Sequence, residues 1–205
     1  MEKYFITGIG TEIGKTIVSA IVTEALQADY WKPIQAGDLD HSDTHKVKAL
    51  ISNSKTVFHP NSFALKTPMS PHGAAQIDGV EISSDKIQPP QTTNDLVIEG
   101  AGGLLVPISD TETIADLIQP LDKVIVVSRH YLGSINHTLL TIEALKRRNL
   151  NCIGIIFNGN ENKSTEDIIH KMTGLPVLLR INEESEFSKE IVKTYAEKLR
   201  ASLKK

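Results

Sequence analysis

The segment Gly8-Ile9-Gly10-Thr11-Glu12-Ile13-Gly14-Lys15-Thr16 lies directly after the apolar run Tyr4-Phe5-Ile6. It lies directly before the helical pattern Ile17, Val18, Ala20, Ile21 and Ala25. A strand, a glycine-bounded loop and a helix start in that order form a cradle for nucleotide phosphates. Glycines let the backbone fold closely around an anion, and its N–H groups and the helix N-terminus then point at the negative charge. Lys15 is placed to reach the β and γ phosphates and the Thr16 hydroxyl to ligate Mg²⁺. The usual loop has four residues between its first glycine and the Gly-Lys-Ser/Thr triplet. Gly8 and Gly14 enclose five here, so this is an extended Walker A variant.

Working outward, short β-branched apolar runs recur at Lys3 to Thr7, Tyr30 to Ile34, Leu96 to Glu99, Val124 to Ser128, Cys152 to Phe157 and Val177 to Ile181. Their near-continuous apolarity predicts strands covered on both faces, as in a parallel sheet. Helix patterns alternate with them at Lys15 to Ala28, Ser42 to Ile51, Thr113 to Ile118, Ser134 to Arg148, Thr165 to Met172 and Phe187 to Leu203. The expected fold is a single α/β domain over residues 1–205, a doubly wound, mainly parallel sheet with its ligand crevice at the carboxyl ends of the strands. Prolines 60, 68, 71, 89 and 90 break up Phe58 to Asn94, so an irregular surface connection is expected there.

The 205 residues fit one such domain, and the net charge of −3 gives no electrostatic footprint for nucleic acid. The single cysteine, Cys152, excludes an internal disulfide and a thiolate metal site and fits a reducing cytoplasm. Met1-Glu2-Lys3 runs straight into the first strand, so neither a leader nor a membrane segment is expected.

Chemistry is expected where strands end. Lys32 closes the second strand, where a functional role and a lysine snorkelling to solvent are equally open. Asp43, after Ser42, reads by default as a neighbour of a helix N-cap. Glu99 closes an apolar strand and is followed by Gly100-Ala101-Gly102-Gly103. A buried carboxylate needs a partner, and Mg²⁺ is one, giving Thr16, Asp43 and Glu99 as a hard, oxygen-only set. Ser70-Pro71-His72 in a loop, the helix opened by Gly133-Ser134-Ile135-Asn136-His137, and Asn158-Gly159-Asn160 fit the same crevice. Free N–H groups at the start of the Ser134 helix suit a carboxylate. His137 reads as a helix-face or core histidine, with no second ligand at zinc spacing.

Taken in order, GIGTEIGKT, WKPIQAG, HSD, SPH, IEGAGG, SDTETIADL, LGSINHTLLT and FNGN resemble dethiobiotin synthetase, the biotin-pathway enzyme that closes a cyclic urea from CO₂ and ATP. The resemblance implies an ATP-dependent cyclo-ligase acting on 7,8-diaminononanoate through a carbamate and a carbamyl phosphate. It implies Lys15, Lys32 and Thr11 as catalytic residues. It places ATP on Glu12, Ile13, Gly14, Lys15, Thr16, Ile17, Asp43, Glu99, Gly100, Ala101, Gly102, Asn158, Gly159 and Asn182, with the metal on Thr16, Asp43 and Glu99. Substrate contacts are implied at Thr11, Lys32, Ala36, Gly133, Ser134 and Asn136, the last three reaching across a homodimer. This chain departs from the family pattern at Ile9-Gly10, at Ala36 where a Ser or Thr is usual, at Asn182-Glu183-Glu184 in place of a Pro-Trp type segment, and in a shortened crossover around Gln88 to Gln91.

Two other classes share the fold. Partition and septum-placement ATPase switches usually carry a second lysine early in the loop, about where Gly10 stands. The stripe Phe187, Ile191, Tyr195, Leu199 and Leu203, set among Lys189, Lys193, Lys198, Arg200, Lys204 and Lys205, has the form of a basic membrane-surface helix. Packing of that stripe on the sheet is the favoured reading, so no membrane partner is expected. A cobyrinate-type amidoligase normally needs an added glutaminase domain, for which this chain has no room.

Overall fold

The computed structural model describes residues 1–203; Lys204 and Lys205 of the basic C-terminal pattern lie outside the described residues. Among the described residues nine strands and six α-helices follow in order: β1 (Lys3–Gly8), α1 (Lys15–Leu26), β2 (Asp29–Trp31), β3 (Ile34–Ala36), α2 (Asp43–Leu50), β4 (Phe58–His59) and β5 (Phe63–Leu65). Then come α3 (Pro71–Asp78), β6 (Leu96–Glu99), β7 (Lys123–Arg129), α4 (Ser134–Arg147), β8 (Cys152–Asn158), α5 (Lys163–Thr173), β9 (Val177–Ile181) and α6 (Lys189–Leu203). Seven of the strands form one parallel sheet in the order β4-β2-β6-β1-β7-β8-β9.

Alternate residues of the central strands enter two separate cores. Tyr4, Ile6, Val97, Ile125 and Val127 face Val18, Ile21 and Val22 of α1, Val47 of α2, and Val192, Tyr195 and Leu199 of α6. Phe5, Leu96, Ile98, Val124 and Val126 face Ala74 and Ala75 of α3, Ile142 and Leu145 of α4, and Ile169 of α5. Both faces are therefore covered, which is why the strands read as unbroken apolar runs. The apolar stripe of α6 is used in this packing, with Val192, Tyr195, Ala196 and Leu199 buried. Among the described residues no helix is long and apolar enough to cross a membrane.

Several expectations need correction. The run Tyr30 to Ile34 is two strands, because Pro33 has no N–H for the ladder. Beyond it the chain leaves the main sheet, and β3 pairs with β5 in a separate two-stranded sheet. The stretch after Phe58 is more ordered than its prolines imply: Pro71 begins α3 in the first turn, where a missing N–H costs no intrahelical bond, so Ser70-Pro71-His72 is a helix start and not a loop. Thr113 to Ile118 contains a 3₁₀ helix, Ile114–Leu117, in place of an α-helix. The last helix starts at Lys189, two residues beyond Phe187.

Candidate active site

The carboxyl ends of β1, β2, β6 and β8 open on a cavity of about 780 Å³. Thr11, Glu12, Gly14, Lys15, Thr16 and Ile17 line one side of it, Lys32, Ala36 and Asp43 another, and Glu99, Ala101, Gly102 and Asn158 the rest.

Gly14 has φ of +92° and opens α1 without a capping side chain, so the first-turn N–H groups face the cavity. A Cβ on Gly14 would stand 2.2 Å from the Asn158 amide nitrogen, so glycine is demanded by space as well as by backbone. That same amide donates to the Ile13 carbonyl at 2.8 Å and ties the loop to the end of β8. The Lys15 ammonium folds back over the loop and donates to the Gly10 carbonyl at 2.8 Å. Burial pulls Lys15 down to about 8; attraction from Glu99 offsets part of this and repulsion from Lys32 adds to it.

Lys32 stands where Pro33 ends the ladder, with its carbonyl held by the Asn61 amide at 2.7 Å. Its ammonium lies between Asp43 Oδ2 at 2.6 Å and Glu99 Oε1 at 3.1 Å. Burial alone would lower its pKa, and the two carboxylates outweigh that and raise it. Asp43 is likewise penalised by burial yet lowered overall by Lys32. Glu99 has no solvent exposure and also accepts from the Thr16 hydroxyl at 3.0 Å and the Tyr30 phenol at 2.9 Å. Burial first and the Glu99 charge second push the Tyr30 phenol well up, so it stays a donor. Lys46 extends the arrangement, 2.9 Å from Asp38 and 3.6 Å from Asp43. Asp38, Lys46, Asp43, Lys32 and Glu99 thus alternate in charge along one wall.

Thr16, Asp43 and Glu99 supply one hydroxyl and two carboxylates and no nitrogen or sulfur. Among the described residues no group of three or more His, Cys, Asp or Glu could hold a metal ion. This donor set fits Mg²⁺, which takes one or two protein carboxylates and completes its shell from water and phosphates.

Other predicted residues stand outside the cavity lining. Ile13 is buried beneath the loop, and Gly100 packs against Phe5. Gly159 donates its N–H to Ile181, and the Asn182 N–H goes to the Tyr195 phenol at 3.1 Å. Gly133, Ser134 and Asn136 begin α4, where Gly133 provides no capping side chain. His137 is an exposed helix-face residue whose ring meets the Tyr131 phenol at 2.7 Å.

Sequence reasoning missed Asp38, Lys46, Arg129 and Phe187, all of which line the cavity. Lys46 was recoverable from its i+3 spacing to Asp43 on one helix. Arg129 is one residue past the run read as a strand. Phe187 reads in the sequence as the first residue of the α6 stripe, but it precedes the helix.

A phosphate loop, two converging lysines and a paired-carboxylate and hydroxyl set at the carboxyl edge of a doubly wound sheet define a P-loop nucleotide-binding protein. A family model described as an AAA domain matches residues 2–190. The septum site-determining protein MinD of Pyrococcus horikoshii, solved with Mg-ADP, superposes with a TM-score of 0.67 over 100% of this chain and 96% of that one; at 13% identity the likeness is one of fold. The ATP-dependent dethiobiotin synthetase BioD of Christiangramia forsetii is 62% identical over 202 residues, 98% of each chain. That of Cytophaga hutchinsonii is 55% identical over 201 residues, 97% of each. The chain belongs to the ATP-dependent dethiobiotin synthetase family and is an enzyme of the ATP-dependent ligase class.

Proposed function

We propose that this protein carboxylates one amine of 7,8-diaminononanoate with CO₂ and closes the ring to dethiobiotin at the expense of ATP, in the biotin pathway. The observation that carries the reading is the convergence of Lys15, Lys32 and the Thr16–Asp43–Glu99 oxygens on one cavity in a chain 62% identical to a dethiobiotin synthetase.

The amine adds to CO₂, loses a proton and becomes a carbamate. A carbamate oxygen then attacks the γ-phosphorus and ADP leaves. The neighbouring amine attacks the carbamyl carbon, expelling phosphate and closing the urea. Two anions must meet in the second step, so alignment and charge neutralisation dominate. Lys15 and the α1 N-terminus take the triphosphate, within the ATP segment Glu12 to Ile17. Lys32 stands between carbamate and γ-phosphate, with Thr11 donating beside it. Thr16, Asp43 and Glu99 would hold Mg²⁺, which when bound neutralises phosphate charge. Ala101 and Gly102 flank the nucleotide with Gly100 behind them, and Asn158 marks its base end, with Gly159 and Asn182 beyond the cavity lining on the same side. Ala36 leaves the substrate wall one hydroxyl short of the family pattern.

The active unit in this reading is a cytoplasmic homodimer of single-domain subunits. Its support is an exposed apolar face: Leu105, Tyr131, Leu132, Ile135 and Leu140 are all exposed, and a 410 Å³ groove joins Leu105 and Leu140 to Thr11. A second copy on this face would bring its Gly133, Ser134 and Asn136 to the cavity as the binding site for the substrate carboxylate. ADP release with diaminononanoate and bicarbonate omitted in turn tests the function. Release that is indifferent to either omission refutes it.

A further inference from the structure

Among the described residues, four residues other than glycine have positive φ: Glu12, Gln27, Asp38 and Asn149. Gln27 caps the end of α1 and Asn149 follows the end of α4, places where left-handed backbone is routine. Glu12 and Asp38 instead line the cavity. Asp38 has φ of +53°, follows Gly37 at φ of +71°, and opens a short 3₁₀ turn without capping it through its side chain. A Cβ on Gly37 would lie 2.4 Å from Pro68, so the backbone entering Asp38 is clamped in place. With the backbone held this firmly and no local bond made by the side chain, the main chain sets the placement of this carboxylate at the cavity.

Lys46 fixes that carboxylate through Oδ2 at 2.9 Å, which leaves Oδ1 as the acceptor on offer. On the same segment Ala36 presents only a methyl group. Gln35 is occupied internally, donating to the Gly37 carbonyl at 2.9 Å and accepting from the Asp43 N–H at 3.3 Å. Asp38 is therefore the one carboxylate of the Lys32–Asp38 segment, lining the cavity with its side chain 53% exposed and free of the buried pairing that holds Asp43 and Glu99.

We propose that Asp38 is a specificity-determining residue that accepts a hydrogen bond from an amino group of the diamine substrate, in the role left open by the methyl of Ala36. This deepens the diaminononanoate reading and rests on it.

Two variants test it, Asp38→Asn and Asp38→Gly. Glycine suits φ of +53° and removes the carboxylate with its Lys46 contact, whereas asparagine keeps the side-chain shape and removes only the charge. Expected for both variants is a rise in KM for diaminononanoate of about tenfold or more, the scale of a charge-assisted hydrogen bond. kcat and KM for ATP should stay within about twofold in both. Unchanged KM for the diamine in Asp38→Asn overturns the proposal, and so does an equal rise in KM for ATP, which a general structural defect would give. ADP release by the unaltered protein is measured first. If it does not depend on the diamine, the functional reading fails, and that failure is distinct from the failure of Asp38 alone.

Discussion

Replacing Lys32 with alanine removes the ammonium that lies 2.6 Å from Asp43 and 3.1 Å from Glu99. The Glu99 side chain has no exposure and loses its paired ammonium, keeping only the longer-range attraction of Lys15, whereas Asp43 retains Lys46 at 3.6 Å and some contact with water. Removing one partner of a buried pair costs about 3–5 kcal/mol. Thr16 and Tyr30 still donate to Glu99, which sets the expected loss near the lower end, about 3 kcal/mol. For a domain of this size that is a fall in Tm of roughly 6–12 °C. Lys32→Met combined with Glu99→Gln removes both charges and should recover most of the loss, because a neutral packed pair replaces an unpaired ion. Thermal melts with and without magnesium and ADP provide the assay. Added Mg²⁺ should raise the Lys32→Ala Tm more than that of the unaltered protein, since nothing then competes for the carboxylates. A Lys32→Ala melt within about 2 °C of the unaltered protein, or a double variant no better than the single one, would refute the pairing as the source of stability.

Three further outcomes are expected. Lys15 falls from 10.5 to about 8 on folding, so its penalty on stability is full below pH 8 and fades as pH rises toward 10.5. A bound triphosphate should draw the proton back, so nucleotide binding near pH 9 should take up a proton that Lys15→Ala does not; equal calorimetric enthalpies in buffers of different ionisation enthalpy would rule this out. Glu99→Gln should raise the magnesium concentration for half-maximal ADP release by about tenfold or more, and an unshifted titration would make Glu99 structural. Mixing inactive Lys32→Ala and Gly133→Glu subunits should restore one composite site per mixed dimer, about a quarter of full activity in a statistical 1:1 mixture; no recovery after proven subunit exchange sinks the shared site.

Much of this was legible in the sequence because the informative residues are contiguous or end long apolar runs. The phosphate loop declares itself within nine residues, and the parallel sheet follows from strands apolar on both faces. The small elements were not legible. β3, β4 and β5 are two or three residues long, too short for a periodicity, and Pro71 signals either a helix start or a break according to what precedes it. The charge row was hidden for another reason. Lys32, Asp43 and Glu99 were each visible as candidates, but only the tertiary fold shows an ammonium seated between the two carboxylates. Asp38 carried no signal, since a left-handed backbone at aspartate leaves no mark in a single sequence.

The bond from Asn158 to Ile13 spans 145 residues. The phosphate loop is the most local motif of the chain, yet its closure depends on a strand made late in synthesis. Because β7 lies between β1 and β8 in the sheet, that strand must dock before Asn158 can reach the loop. A nascent chain that has left the ribosome only through β7 has the loop's sequence without its tether. The closed shape of the nine-residue loop is therefore a property of the assembled sheet and not of the segment that spells it.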